Sequence, residues 1–166
     1  MNPLKLLLEP LTAEAFKPFG DVIQRQDVIP ETINKGQTEK YADLAWIDTG
    51  EAGGKTTVHL YRSKAVAIPF LVEQMERHPL GSQAFMPLHR QPFPVIVASP
   101  GDEQDIRTIR GFMTNGEQGV NFHKGVWHHY QLSLNGICDY LVIDRSGPKN
   151  NCEEWTLEQA LLAREA

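Results

Sequence analysis

The sequence predicts an all-β domain, a sandwich or closed barrel with short helices outside it. Seven short extended runs, at 57–62, 66–72, 83–88, 94–98, 106–112, 126–134 and 137–144, recur along the chain, each cut by a turn signal. Pro100-Gly101-Asp102, Asn115-Gly116 and Asn135-Gly136 supply those signals, which makes the middle of the chain a meander of antiparallel strands. With 166 residues, 41% hydrophobic and 22% charged, the chain fits one domain over 1–166 with a full-sized core, and disorder, collagen and coiled coil are excluded.

In chain order, the opening MNPLKLLLEP holds a short leucine run that Glu9 and Pro10 end well before a membrane span or signal sequence, and no small-residue cleavage site follows. A cytoplasmic location is the expectation. Thr12 is the N-cap of a short helix with Glu14 in its first turn, stopped by Pro18 and Gly20. Further on, Leu134-Asn135-Gly136-Ile137 fits a type I′ hairpin that would pair 126–134 with 137–144. At the end, Thr156 and Gln159 form a capping box, and Trp155, Ala160 and Leu161 an apolar stripe. That predicts a C-terminal helix docked outside a barrel of roughly ten or eleven strands.

The net charge of -5 offers no positive field for a nucleic-acid backbone or an anionic membrane. A small anion would need a local cluster of Arg and Lys. Cys138 and Cys152 lie in no zinc or CxxC spacing and read as reduced thiols.

The densest chemistry is Asn121 to Tyr130, where His123, His128 and His129, three of six histidines, fall within seven positions. On a strand, Val126, His128, Tyr130, Leu132 and Leu134 share one face, and Trp127, His129, Gln131 and Ser133 the other. The first face is the apolar one. This puts His128 inside a barrel, with a pKa near neutral, and leaves His129 and Trp127 outside, where Trp127 could join an interface. A second stretch runs from Glu73 to Phe85. If 74–78 is extended, Gln74, Glu76 and His78 point one way, and the Pro-Leu-Gly-Ser turn returns Gln83 beside them. A carboxylate, an imidazole and an amide could then converge.

Together the two stretches resemble a degenerate cupin, a small β-barrel family whose pocket ligands come from two motifs. Glu76-x-His78 stands at the family's His-x-His, Gln83 at its Glu, and His123-x-Gly125-x-x-His128 at the second motif. The likeness is closer still to the ureidoglycolate lyase family. It rests on Phe19 to Ile23, Glu76 to Leu88 (ERHPLGSQAFMPL), Thr114 to His129 (TNGEQGVNFHKGVWHH) and Asp139 to Arg145, in that order. One departure is Tyr130, where the family commonly has Pro and the pocket wall would differ. The resemblance implies a cytoplasmic homodimer that splits (S)-ureidoglycolate into glyoxylate and urea during allantoin and purine breakdown, with nickel as a cofactor.

That substrate carries a carboxylate, a hydroxyl and a urea nitrogen around one carbon, and its cleavage needs no water. A base takes the hydroxyl proton, the carbon–nitrogen bond breaks, and an acid protonates the departing nitrogen. Glu76, His78 and His128 are the candidate acid and base groups. Lys124 is the first candidate for the carboxylate, followed by Arg77 and Arg90, with Gln83 a further substrate contact. A divalent metal would find His78, Gln83 and His128, with Glu76, as ligands, Gln83 being the poorest. Two other readings stay open: an amidohydrolase that releases ammonia, and a non-enzymatic cupin-like module that binds a small carboxylic acid.

Overall fold

A computed structural model describes residues 2–165. Among these, thirteen strands, numbered in chain order, build two layers. A closed six-stranded barrel takes the order β1 (Leu4–Pro10), β13 (Glu153–Glu165), β6 (Phe70–Arg77), β11 (Trp127–His128), β8 (Pro94–Ala98) and β9 (Arg110–Met113). A five-stranded sheet takes the order β2 (Gly20–Ile23), β10 (Gly119–Phe122), β7 (Gln83–Pro87), β12 (Cys138–Ser146) and β5 (Lys55–Ser63). The hairpin of β3 (Glu31–Ile33) and β4 (Thr38–Lys40) stands apart. The all-β, cupin-like expectation holds, and so does the short helix α1 (Ala13–Phe16), whose N-terminus Thr12 caps by accepting from the Ala15 N–H.

Strand alternation divides the apolar residues between two cores. Trp127, Met75, Ile96, Ala98, Trp155 and Leu161 fill the barrel. Phe85, Val95, Val97, Phe122, Val126 and Tyr140 fill the space between the barrel wall and the five-stranded sheet. Strand β8 is buried on both faces, sending Ile96 into one core and Val97 into the other.

Three expectations are corrected. The C-terminal segment is not a helix: β13 pairs with β6 on one side and β1 on the other, and an irregularity between Thr156 and Leu161 absorbs residues without a partner. Strands β11 and β12 do not form a hairpin, because they belong to different sheets and residues 129–137 carry the chain between them. Gly136 takes φ 91° while Asn135 stays out of the left-handed region, so the type I′ turn is absent. Trp127 and His129 are not on the outside, being 2% and 6% exposed. The barrel encloses the face that simple parity assigned to solvent.

Candidate active site

The register places Glu76 on β6 directly opposite His128 on β11. His78 follows just past the end of β6, and its carbonyl accepts the Gly125 N–H at 2.9 Å. Gly125 takes φ 79°, so the second cupin-type motif turns sharply and closes onto the first. Glu76 Oε1 stands 4.0 Å from His78 Nε2 and 3.9 Å from His128 Nδ1, and the two imidazole rings are 5.2 Å apart.

The hydrogen bonds fix the tautomers. His78 Nδ1 faces the Asn151 carbonyl at 2.6 Å, and His128 Nδ1 faces the His129 carbonyl at 3.1 Å. A carbonyl can only accept, so each Nδ1 carries the proton, and Nε2 of both rings is buried without a partner among the described residues. Leaving such an atom unpaired costs ~1–3 kcal/mol, which a bound ligand would offset. Paired imidazoles with Nδ1 anchored and Nε2 free, beside a carboxylate, are the donor set of a metal site. Glu76, His78 and His128 bring one ligand atom each to within 4.8 Å of one another. The residues therefore fit a divalent cation.

Burial sets the electrostatics. His128 is 1% exposed and lies flat on Phe122, with centroids 4.2 Å apart and an interplanar angle of 1°. Desolvation lowers its pKa to about 3, aided by His78 nearby. The expectation of a near-neutral pKa is thus corrected: His128 is a neutral lone-pair donor at pH 7 and has no proton to give as an acid. Glu76 moves the other way, since burial raises its carboxyl pKa against the opposing pull of His78.

Glu76 and His78 open on a cavity of about 560 Å³ whose walls also include Gln83, Phe85, Tyr130 and Asp144, with His128 buried behind them. Tyr130, the departure from the family pattern, is on that wall and 55% exposed. Gln83, on β7 of the five-stranded sheet, lines the same cavity as Glu76 and His78. The three candidate anion partners lie elsewhere. Lys124 is held by Glu51 at 2.6 Å and Asp48 at 3.5 Å in a separate cleft with Trp46 and His123. Arg77 is bound by Glu153 and Asp102 and covers the Trp127 ring. Arg90 shares a groove with Arg25 and Glu117.

Sequence reasoning did not assign Asp144 and Asn151. Asp144 accepts from Gln83 Nε2 at 2.9 Å. Asn151 grips the turn after β6 twice, its carbonyl holding His78 and its side-chain oxygen accepting the Leu80 N–H at 2.6 Å. Asn151→Ala keeps the carbonyl on His78 but removes the side-chain oxygen from the Leu80 N–H, so it should loosen the turn that carries His78 and weaken binding of a divalent ion by up to about 10-fold, as calorimetric titration would show. An unchanged affinity would make the Asn151 contact structural only.

A sequence model described as ureidoglycolate lyase matches residues 3–164. The chain belongs to the ureidoglycolate lyase family. It is 47% identical over 159 residues to a protein of Pseudomonas putida (strain W619) named ureidoglycolate lyase, covering 95% of each chain. A protein of Burkholderia mallei (strain NCTC 10229) with the same name is 47% identical over 165 residues, covering 95% of this chain and 96% of its own. In this member of the ureidoglycolate lyase family, the two motifs that carried the resemblance are the two that β6 and β11 bring together.

Proposed function

We propose that this protein is a lyase that cleaves (S)-ureidoglycolate to glyoxylate and urea. The observation that carries the reading is the convergence of Glu76, His78 and His128 within 4.8 Å of one another, with Glu76 and His78 on the wall of a cavity, in a chain of this family.

The substrate is an anion, and so are the lining side chains Glu76 and Asp144, while Arg62 on the same wall is held by Asp139 at 2.8 and 2.9 Å. The site needs a positive charge. Glu76, His78 and His128 would hold a divalent ion, nickel in our reading, that offsets the substrate's carboxylate, acidifies its hydroxyl and polarises the emerging carbonyl. Glu76 does the proton transfer. Its Oε1 faces both imidazoles, and Oε2 takes no hydrogen bond among the described residues. The hydroxyl and the urea nitrogen sit on the same carbon, so one carboxyl can take the proton from oxygen and return it to nitrogen as the carbon–nitrogen bond breaks. No water is consumed, and His128 and His78 keep their Nδ1 protons throughout.

Purified protein given ureidoglycolate should yield urea and glyoxylate in equal amounts without ammonia, and a chelator should abolish and nickel restore the release. Ammonia in place of urea would establish the amidohydrolase, and binding without turnover the non-enzymatic module. A homodimer in the cytoplasm, acting in allantoin breakdown, completes the proposal. In its support, β5 is the free edge of its sheet and shows Val58 and Leu60 63% and 71% exposed. Among the described residues no helix is long and apolar enough to cross a membrane.

A further inference from the structure

Gln83 is 3% exposed, and its two polar atoms are not equivalent. The Nε2 group donates to Asp144 Oδ2 at 2.9 Å, while Oε1 is buried with no partner among the described residues. The orientation of the amide follows from its neighbour. A carboxylate only accepts, and Asp144 Oδ1 is already taken by the Arg145 N–H at 2.6 Å, so the Gln83 amino group must face Asp144 and its carbonyl must face away. Both residues line the cavity that holds Glu76 and His78. A buried acceptor in a ligand cavity selects a ligand that brings an N–H or O–H to it, and rejects one that leaves it unmade.

We propose that Gln83, locked by Asp144, accepts a hydrogen bond from the urea N–H of the substrate and makes the site specific for ureido-substituted 2-hydroxy acids. The inference rests on the lyase reading above. Asp144 also sets direction, since its charge repels the carboxylate end of the substrate and leaves that end for the side where Glu76, His78 and His128 would hold a cation. The hydroxyl cannot serve as the matching donor, because its proton is the one removed in the reaction. The sequence expectation gave Gln83 both to the substrate and to a metal, and a free amide oxygen suits either partner; the experiment separates them.

The test uses the nickel-loaded full chain and its Gln83→Leu variant, with urea and glyoxylate as competing ligands. The expected result is a rise of about 10-fold to 100-fold in KM for ureidoglycolate and in Ki for urea. The Ki for glyoxylate, which has no N–H, should stay within about twofold, and nickel content per chain should not change. Loss of nickel would overturn the inference in favour of coordination by Gln83, and an unchanged KM and urea Ki would overturn it outright. Should Gln83→Leu fail to fold, Asp144→Asn, which frees the amide to turn over, must raise KM and urea Ki together. On the native protein, urea must compete better than acetone, which has the same shape without an N–H; equal competition overturns the inference. A native protein that releases no urea from ureidoglycolate would instead overturn the lyase reading.

Discussion

Glu76→Gln should lower kcat by about 10²-fold to 10⁴-fold, the usual cost of losing a positioned acid or base. The substitution keeps the side chain's size and its place opposite His128, so it opens no hole, and nickel content per chain tells a lost base from a weakened ligand. Burial raises the Glu76 pKa in the folded protein, with His78 pulling it back in part. A raised carboxyl pKa means the folded state binds the proton more tightly than the unfolded chain. Stability from this group is present at low pH and falls as pH rises through the folded pKa. Wherever Glu76 is ionised it therefore works against folding, and the amide variant should be at least as stable, so lost turnover would not reflect lost fold. The native kcat/KM should also drop on the acid side at a pH above the ordinary carboxylate range, as Glu76 takes up a proton and ceases to be a base. That limb should vanish in the variant. A steady-state pH profile measures both effects, and a kcat within tenfold of native, or an acid limb that persists, would remove Glu76 from the chemistry.

The parts of this architecture that could be read from the sequence are those where local pattern and tertiary environment agree. Strand β8 matches the run 94–98 residue for residue, because an apolar pentapeptide between Pro and turn residues has no competing local structure. The end of the chain shows the opposite case. Glu, Gln, Ala, Leu and Arg across 158–164 are strong helix formers, and the capping box adds to them. Yet Trp155, Leu157, Leu161 and Ala163 are all buried, a spacing in twos and fours that a strand with an irregularity satisfies. Pairing with β1 and β6 at once outweighs local propensity, and neither partner is visible from the segment itself. The leucine run at the start was equally silent about its role. Leu6 and Leu8 enter the barrel core only because β13 and β9 lie on either side.

The candidate site divides in the same way. Parity made His128 an inward residue, and it is buried, though against Phe122 between the barrel wall and the five-stranded sheet rather than in the barrel. Parity failed for His129 and Trp127 because it assumes one wet face, whereas the barrel wall here separates two cores. Lys124, Arg77 and Arg90 were chosen for their charge, and charge alone does not say that carboxylates will claim Lys124 and Arg77 first or that Arg90 will lie in another groove. Asp144 and Asn151 act through one hydrogen bond or two each, and although Gln83 and Asp144 lie on neighbouring strands, their separation of 61 residues in sequence hides the pairing.

His128→Gln should remove turnover by about 10²-fold or more, while His129→Ala should cost less than tenfold in turnover and most of its effect in stability. The two residues are adjacent and nearly equally buried, so exposure does not distinguish them. Their neighbours do. His128 stands against Glu76 and His78 with Nε2 free, whereas His129 packs on Phe70 and Tyr130 with Nδ1 on the Tyr130 carbonyl. Gln is chosen at 128 because Ala would open a hole beside Phe122 and confuse lost chemistry with lost packing. The histidine also leaves a mark on stability. Its folded pKa of about 3 lies below the ordinary 6.5, so between those values the unfolded chain takes up a proton that the folded chain refuses. Stability from this group is complete above about pH 6.5 and is lost as the solution is acidified toward pH 3. Thermal melts of the metal-free protein across that range should show native Tm falling more steeply with acid than the Tm of His128→Gln. Parallel melting curves would mean that His128 is protonated in the folded protein, and equal losses of turnover at 128 and 129 would place the chemistry outside the Glu76, His78 and His128 cluster.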